Sequence, residues 1–261
     1  MDTIKLYELP KYLIPYKQLI DETTKESIKL KFSNDLPLVQ NSKIGGIPYI
    51  DTYSTIPKDR FGQSMQLLIQ INFEEFNLSK PFPSKGLLQI FVNKDFGNLK
   101  MKKEFDHFSI KFTHLQLTND TPISFSKESK INKNFPIQKQ LKIIGVKSLE
   151  PVSSLDYRYE QFFPFEKLTK ITEDERTFEE IYFETFLGAE HKIGGYPYFI
   201  ENDFRVITTK LKKYDTLLLQ LVTDDAHYIN YRDSGIISFF IESEELAKLN
   251  FSNVYMHVEE Y

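Results

Sequence analysis

The sequence predicts a mainly β protein (α+β), built from duplicated antiparallel sheet units with a few packing helices, and three observations carry that expectation. The heptapeptide Lys43-Ile44-Gly45-Gly46-Ile47-Pro48-Tyr49 returns as Lys192-Ile193-Gly194-Gly195-Tyr196-Pro197-Tyr198, 149 residues later. Two apolar, strand-like runs and a final alternating one follow each copy in the same order. The intervals also agree: from the second glycine to the glutamine of the next run is 24 residues in one copy and 25 in the other, and from there to the next glycine 16 against 15. Two related halves of this kind pack about an approximate two-fold axis, because neither buries its apolar face well alone.

Taken in chain order, Leu9-Pro10 to Asp21 places Tyr12, Leu13, Tyr16, Leu19 and Ile20 at helical spacing, with Pro10 suited to the first turn. Ser27–Phe32 then alternates, Ile28, Leu30 and Phe32 sharing one side, which is the period of a half-buried strand. The first repeat, residues 27–112, continues with the glycine turn, the strands Leu67–Phe73 and Gly86–Val92, and Phe108–Phe112. The second, residues 191–258, answers with its turn, Leu217–Val222, Gly235–Ile241 and Val254–Val258. Continuous apolar runs in the middle strands predict burial on both faces, and the alternating last strands predict one wet face.

Between the repeats, 113–190 reads as a looser connecting segment with Pro122, Pro136, Pro151 and Pro164. It ends in a helix with a Thr172/Glu175 capping box, a stripe of Phe178, Ile181, Tyr182, Thr185 and Phe186 that is expected to pack across the sheets, and Gly188 at the C-terminus. A short helix begins at Ser243 as N-cap, with Glu244 and Glu245 in its first turn. The whole chain, 1–261, thus reads as one domain of two repeats preceded by a helical arm.

The composition narrows the function. Absence of cysteine removes disulfides, thiolate metal sites and cysteine nucleophiles, and fits a reducing compartment. The chain has neither the apolar stretch of a signal peptide at its start nor one of the roughly 20 residues a membrane helix needs, so a soluble cytoplasmic protein is expected. Charge divides unevenly: residues 1–149 hold 22 Lys/Arg against 15 Asp/Glu, and residues 150–261 hold 11 against 22. The +7 and −11 portions either face each other or offer an acidic surface to a basic protein partner. Lys127, Lys130, Lys133, Lys139, Lys142 and Lys147, opposed by Glu128, form the most basic stretch, but its few aromatics make nucleic-acid binding an unfavoured reading.

The strings Ser42–Tyr49, Gln70-Ile71-Asn72-Phe73, Gly86–Phe91, His191–Tyr198 and Asp233-Ser234-Gly235 leading to Phe239-Phe240-Ile241 together resemble the YwqG-like family of bacterial proteins over nearly the whole chain. The resemblance implies a mainly β, roll-like fold from internal duplication with a few helices, and a family of unknown function. Two places depart from the family pattern: Tyr231-Arg232 stand where Trp-Gly is usual, and Phe204 stands for a Pro between Asp203 and Arg205.

No constellation identifies a reaction. Paired glycines after a lysine could cradle an anion, yet a Pro-Tyr follows instead of a helix start and neither phosphate-loop pattern is present, so a structural turn is favoured. Asp233-Ser234-Gly235 lacks the second aspartate of an acid-protease dyad, since the matching stretch is Ser84-Lys85-Gly86, and it lacks the glycine and the His-Asp partnership of a serine nucleophile. His107, His114, His191, His227 and His257 lie singly, and Asp224-Asp225 and Glu173-Asp174-Glu175 lack calcium-loop spacing, so no metal and no cofactor is expected.

The remaining binding candidates cluster at the duplicated turns: Lys43, Gly45, Gly46, His191, Lys192, Gly194, Gly195, Asp203 and Arg205. Position alone recommends them, since clefts between related halves are common ligand sites. The expectation is a monomeric, non-catalytic binding module taking a small anionic ligand at the inter-repeat cleft or a protein at the acidic lobe. The alternative is a hydrolase or transferase using His191 with Asp203 or Asp233.

Overall fold

The computed structural model describes residues 7–51, 54–96, 107–115, 134–163, 172–173, 175–232 and 234–260. Among the described residues ten strands form a single antiparallel sheet: β1 (Lys25–Ser33), β2 (Lys43–Ile44), β3 (Gln66–Asn72), β4 (Leu87–Val92), β5 (Phe108–Thr113), β6 (Leu141–Glu150), β7 (Lys192–Gly194), β8 (Thr216–Val222), β9 (Ile236–Ile241) and β10 (Tyr255–Glu259). Their spatial order is β10-β9-β8-β7-β1-β6-β2-β3-β4-β5, and the sheet curls into a half-barrel.

Outward from the central β1/β6 pair, β7 to β10 succeed one another on one side and β2 to β5 on the other. Each outer set therefore leans on the long strand that precedes the other set in sequence. The registers agree closely. Lys192 pairs with Lys29 and Gln220, Lys43 with Lys142 and Gln70, and Lys29 and Lys142 each lie two positions before a member of the central Lys31/Ile144 pair. A shift of register falls between Leu67 and Ile69 in β3 and between Leu217 and Leu219 in β8.

The concave face holds the main core, where Ile28, Leu30, Ile44, Ile90, Ile143, Ile193, Leu219 and Phe239 meet. Curling brings the two wings together over it: the Phe108 ring of β5 lies 5.4 Å from Phe239 of β9, and Phe112 stacks on Phe251 at 5.2 Å. Every residue of β4 and β9 is buried, as their continuous apolar runs predict, and β5 and β10 are half-buried throughout. Each such aliphatic or aromatic side chain contributes about 1.5–3 kcal/mol by leaving water.

β6 lies inside the segment read as a looser connector. Its inward positions run Leu141, Ile143, Gly145, Lys147 and Leu149, so the apolar alternation is broken at Gly145 and Lys147. Gly145 is required because the Phe76 ring fills the space of a side chain there, and the Lys147 ammonium meets Glu26 at 2.8 Å.

Helix α1 (Lys17–Asp21) follows a 3-10 turn (Lys11–Tyr16) that contains Pro15, and within this arm Leu13 and Ile20 are buried, while Tyr12 and Leu19 are exposed. Helix α2 is a single turn, Tyr159–Phe162, and α3 spans Phe178–Thr185. The α3 capping box is Thr177/Glu180, not Thr172/Glu175; Glu175 stands at φ 67°, outside any helix. Phe178, Ile181 and Tyr182 point inward as predicted, but into a second cluster with Leu13, Ile20, Val152, Tyr159, Phe163 and Tyr196 and not across the main core. Helix α4 is Phe204–Ile207 and α5 is Ser243–Ala247. Ser243 is the first residue of α5 and not its N-cap; Asp215 caps that end, accepting from the Ser243 amide at 2.8 Å and its hydroxyl at 2.9 Å.

Candidate functional site

The convex face carries a polar row in each wing. Register places Lys142, Lys43, Gln70, Gln89 and Lys111 side by side across β6-β2-β3-β4-β5, and Lys29, Lys192, Gln220, Ser238 and His257 across β1-β7-β8-β9-β10. Lys43, Gln70, Gln89, Lys192, Gln220 and Ser238 are all buried. Buried polar groups need partners, and for Gln70 and Gln220 the heptapeptide and the loop before it supply them. Gln70 Nε2 donates to the Val39 and Asn41 carbonyls (both 2.8 Å) and its Oε1 accepts from the Tyr49 amide (2.8 Å). Gln220 does the same for Gly188 (3.0 Å), Glu190 (2.9 Å) and Tyr198 (2.8 Å). The repeated turn is thus clamped onto the sheet by one glutamine per wing. Gly45, Gly46, Gly194 and Gly195 all have φ between 63° and 74°, the left-handed region that side chains disfavour, so two glycines in succession are needed to turn the chain there.

The two lysines diverge. Lys43 Nζ donates to the Val39 carbonyl at 3.0 Å and has no carboxylate partner among the described residues; burial pushes its pKa down to about 8. Lys192, fully buried, instead meets Glu150 Oε2 at 2.8 Å. Glu150 reaches it because its other oxygen occupies the space a side chain at Gly195 would fill, above the small Ser27. In the first wing the longer Gln140 fills the corresponding space against Gly46 and accepts from the Ile47 amide at 3.1 Å.

Beside Lys192 opens a cleft of about 580 Å³. Its floor is Lys29, Ser148, Glu150 and Lys192, one wall is the loop from Thr185 to Glu190, and the other is Tyr7 and Glu8 with Pro151, Ser153 and Tyr196. Lys29 bonds Glu190 at 2.5 Å, and the Glu190 side chain remains 45% exposed. Tyr196 donates to the Thr23 carbonyl at 2.5 Å, and on its far side lies the Lys25 ammonium, 4.8 Å from the ring centre. Burial, and secondarily Arg158, pushes Lys25 down to about 8.

Beyond Tyr196 sits a buried charge network. Asp203 caps α4, one oxygen accepting from the Arg205 amide at 2.9 Å and the other from both Arg205 Nη2 at 2.7 Å and the Tyr157 amide at 3.0 Å. Asp156 repeats the pattern with Arg158, accepting from the amide at 3.0 Å and from Nη2 at 2.7 Å, and Arg205 Nη2 bridges to it at 2.9 Å. Burial by itself would raise the Asp156 pKa, but the Arg158 hydrogen bonds and the two guanidinium charges overturn that and hold it below the usual carboxylate value. Every carboxylate oxygen here is satisfied, which makes the network a brace.

His191 lies on the opposite face from Lys192. Its ring packs edge-on against Phe32 at 4.9 Å, Nδ1 accepts from the Val222 amide at 3.3 Å, and Nε2 stands 3.5 Å from Asp224, which His227 holds at 2.6 Å. Burial pushes His191 down to about 4, so it is neutral at physiological pH.

The structure therefore brings only Lys192 of the nine candidates into the cleft lining. Lys43, Gly45 and Gly46 frame the other wing, Gly194 and Gly195 form the turn behind the cleft, His191 faces the inside, and Asp203 with Arg205 forms the brace. Asp233, Lys127, Glu128, Lys130 and Lys133 lie outside the described residues. The sequence reading missed Glu150, Lys29 and Glu190, for which no local pattern exists, and Asp156 with Arg158, for which one did: Asp156-x-Arg158 has the spacing of Asp203-x-Arg205. Among the described residues no group of three or more His, Asp or Glu is placed to hold a metal, and no helix is long and apolar enough to cross a membrane.

A family model described as a domain of unknown function, DUF1963, matches residues 42–259, taking in both heptapeptides and every strand except β1. YwqG-like proteins fall within that family. Comparison with curated proteins gives no match.

Proposed function

The chain belongs to the DUF1963 family of domains of unknown function, and from that premise we propose that this member is a cytoplasmic bacterial binding module of the YwqG-like type, without catalysis. Its single domain, 1–261, is a duplication about a pseudo-two-fold axis through the Lys31/Ile144 pair. The mirrored strand order, the matching registers and the paired glutamine clamps support that descent.

The ligand seat is the cleft beside Lys192, and the observation that carries this reading is that an opening of about 580 Å³ is floored by two lysines whose carboxylate partners differ in freedom. Glu150 is locked under Gly195, whereas Glu190 is half exposed on a loop and can give way. A small anionic molecule would replace Glu190 on Lys29, with Tyr7, Phe186 and Tyr196 flanking its apolar part. The cleft lining offers no hydroxyl–histidine pair: no histidine stands in it beside Ser148, Ser153 or Thr185, and His191 is turned to Asp224.

The test is calorimetric titration with a panel of small carboxylates and phosphates. Saturable binding that Lys29→Met abolishes supports the seat. Heat absent across the panel at millimolar ligand, or binding indifferent to Lys29→Met, contradicts it.

A further inference from the structure

The centre of the convex face holds a second feature, which borders the cleft at Lys29 but rests on Lys31 and Lys142. Residues directly opposite in an antiparallel pair share a face, and alternate residues of one strand do too. Register therefore puts Lys25, Lys29, Lys31, Lys142, Lys43 and Lys192 on the convex side of β7, β1, β6 and β2, against a single carboxylate from these strands, Glu150. The chain as a whole is net negative, at −4. Four of the six are already accounted for: Lys192 and Lys29 by glutamates, Lys25 by the Tyr196 ring, Lys43 by a carbonyl. Lys31 and Lys142 are not. Neither has an ion-pair partner among the described residues, and Lys31 is exposed.

These two ammonium groups are diagonal neighbours around Ile144, which is 48% exposed in the middle of the sheet. The loop 34–41 folds onto the same face, since the Val39 carbonyl accepts from Lys43 and Gln70 there, and it carries Leu36 and Leu38, exposed to 90% and 74%. Lys139 reaches the same loop, donating to Asn34 Oδ1 at 2.6 Å. An antiparallel sheet tolerates a wet face, but that face is ordinarily of mixed charge; here the unpaired charges on the strands around the exposed aliphatic side chains are lysines, with Asp35 of the loop and Glu190 at its margins.

We propose that this central convex strip is a docking surface for an extended acidic segment of a partner protein, one whose carboxylates alternate with aliphatic side chains. A segment lying on its edge along the strip puts its carboxylates, two residues apart, on one side toward Lys29 and Lys31 of β1, and its intervening aliphatics on the other toward Val146 and Ile144 of β6, with Lys142, Leu36 and Leu38 at one end. A nucleic acid is the poorer fit. The convex positions of β1 and β6, namely Lys25, Ser27, Lys29, Lys31, Ser33, Lys142, Ile144, Val146, Ser148 and Glu150, include no aromatic ring on which a base could stack and no arginine to grip phosphate in two-point fashion.

The experiment is fluorescence anisotropy of the full chain with three labelled probes: a peptide of about twelve residues alternating Glu with Leu, long enough to cross the strip, the same peptide with Lys for Glu, and an oligothymidylate of similar length. The account expects saturable binding of the acidic peptide alone, weakened by salt, with K31E/K142E lowering affinity at least about tenfold and I144S several-fold. Lys31→Gln and Lys142→Gln, made singly and checked by thermal melting, guard against a misfolded double variant and should each weaken binding. The proposal is overturned if the acidic peptide does not saturate, if the oligothymidylate binds as well, or if the lysine variants bind unchanged.

Discussion

Lys43 and Lys192 occupy the same place in a repeated heptapeptide, each pinned between a clamped turn and the convex face of the sheet, yet their surroundings have opposite chemistry. In the first wing the lysine has a carbonyl for company and the space beside the turn is filled by Gln140. In the second, Glu150 reaches across Ser27, pairs with Lys192, and leaves a cleft between the sheet and the loop 185–190. The second wing also carries the four-residue charge brace of Asp156, Arg158, Asp203 and Arg205. At the matching place in the first wing a small apolar cluster of Met65, Leu67 and Phe91, with Ile56 against it, does the covering. What the difference teaches is that the repeated residues hold the frame and the unrepeated ones set the chemistry. A site built on the motif itself would have appeared twice.

The largest effect should follow from removing a charge from the brace. Asp156→Ala leaves Arg158 and Arg205 short of a buried partner and should lower unfolding stability by about 4 kcal/mol, measured by urea denaturation. A loss below about 1 kcal/mol would mean that the network is hydrated and exposed, and the wings less different than described.

Next in size are the clamps. Gln70→Leu and Gln220→Leu each strand two carbonyls and one backbone amide, at a cost of about 3 kcal/mol apiece; Gln70→Leu also removes one acceptor from Gln89 Nε2, which keeps the Tyr49 carbonyl. Near-equal losses are expected because the two geometries match; a loss in one wing alone would break the common-frame half of the comparison.

A smaller effect separates Gly195→Ala from its double variant with Glu150→Ala. The single change both strains a left-handed turn and displaces Glu150 from Lys192, at about 2–3 kcal/mol. Once Glu150 is gone, adding the methyl group should cost only the turn strain of about 1–2 kcal/mol. Strict additivity in the cycle would show that Gly195 does not seat the glutamate.

Much of the fold was legible in the sequence. The strands β3, β4, β8 and β9 are unbroken apolar runs, and β1 alternates cleanly, so periodicity finds them. β6 escaped because its inward face is completed by Gly145, which makes room for Phe76, and by Lys147, which reaches Glu26; both are tertiary facts that a window of β6 alone cannot hold. The Thr172/Glu175 pair mimics the Thr177/Glu180 box residue for residue, and only the left-handed backbone at Glu175 separates them. The site was less legible. The repeat pointed to Lys43 and Lys192 alike, and what sets them apart lies on β6, 42 residues before Lys192 in the case of Glu150.

The pair of substitutions Lys43→Met and Lys192→Met, each followed by unfolding stability against pH, addresses the comparison most directly. Lys43 has a folded pKa of about 8 against an ordinary 10.5, so the unfolded chain binds more protons between those values and stability rises with pH through that window. Lys43→Met should therefore be neutral or stabilising at pH 7, by up to about 3 kcal/mol, and should abolish that rise. Lys192→Met should instead lose about 3 kcal/mol at pH 7 by leaving Glu150 buried without its partner. Equal losses from the two substitutions, or a stabilising Lys192→Met, would contradict the account.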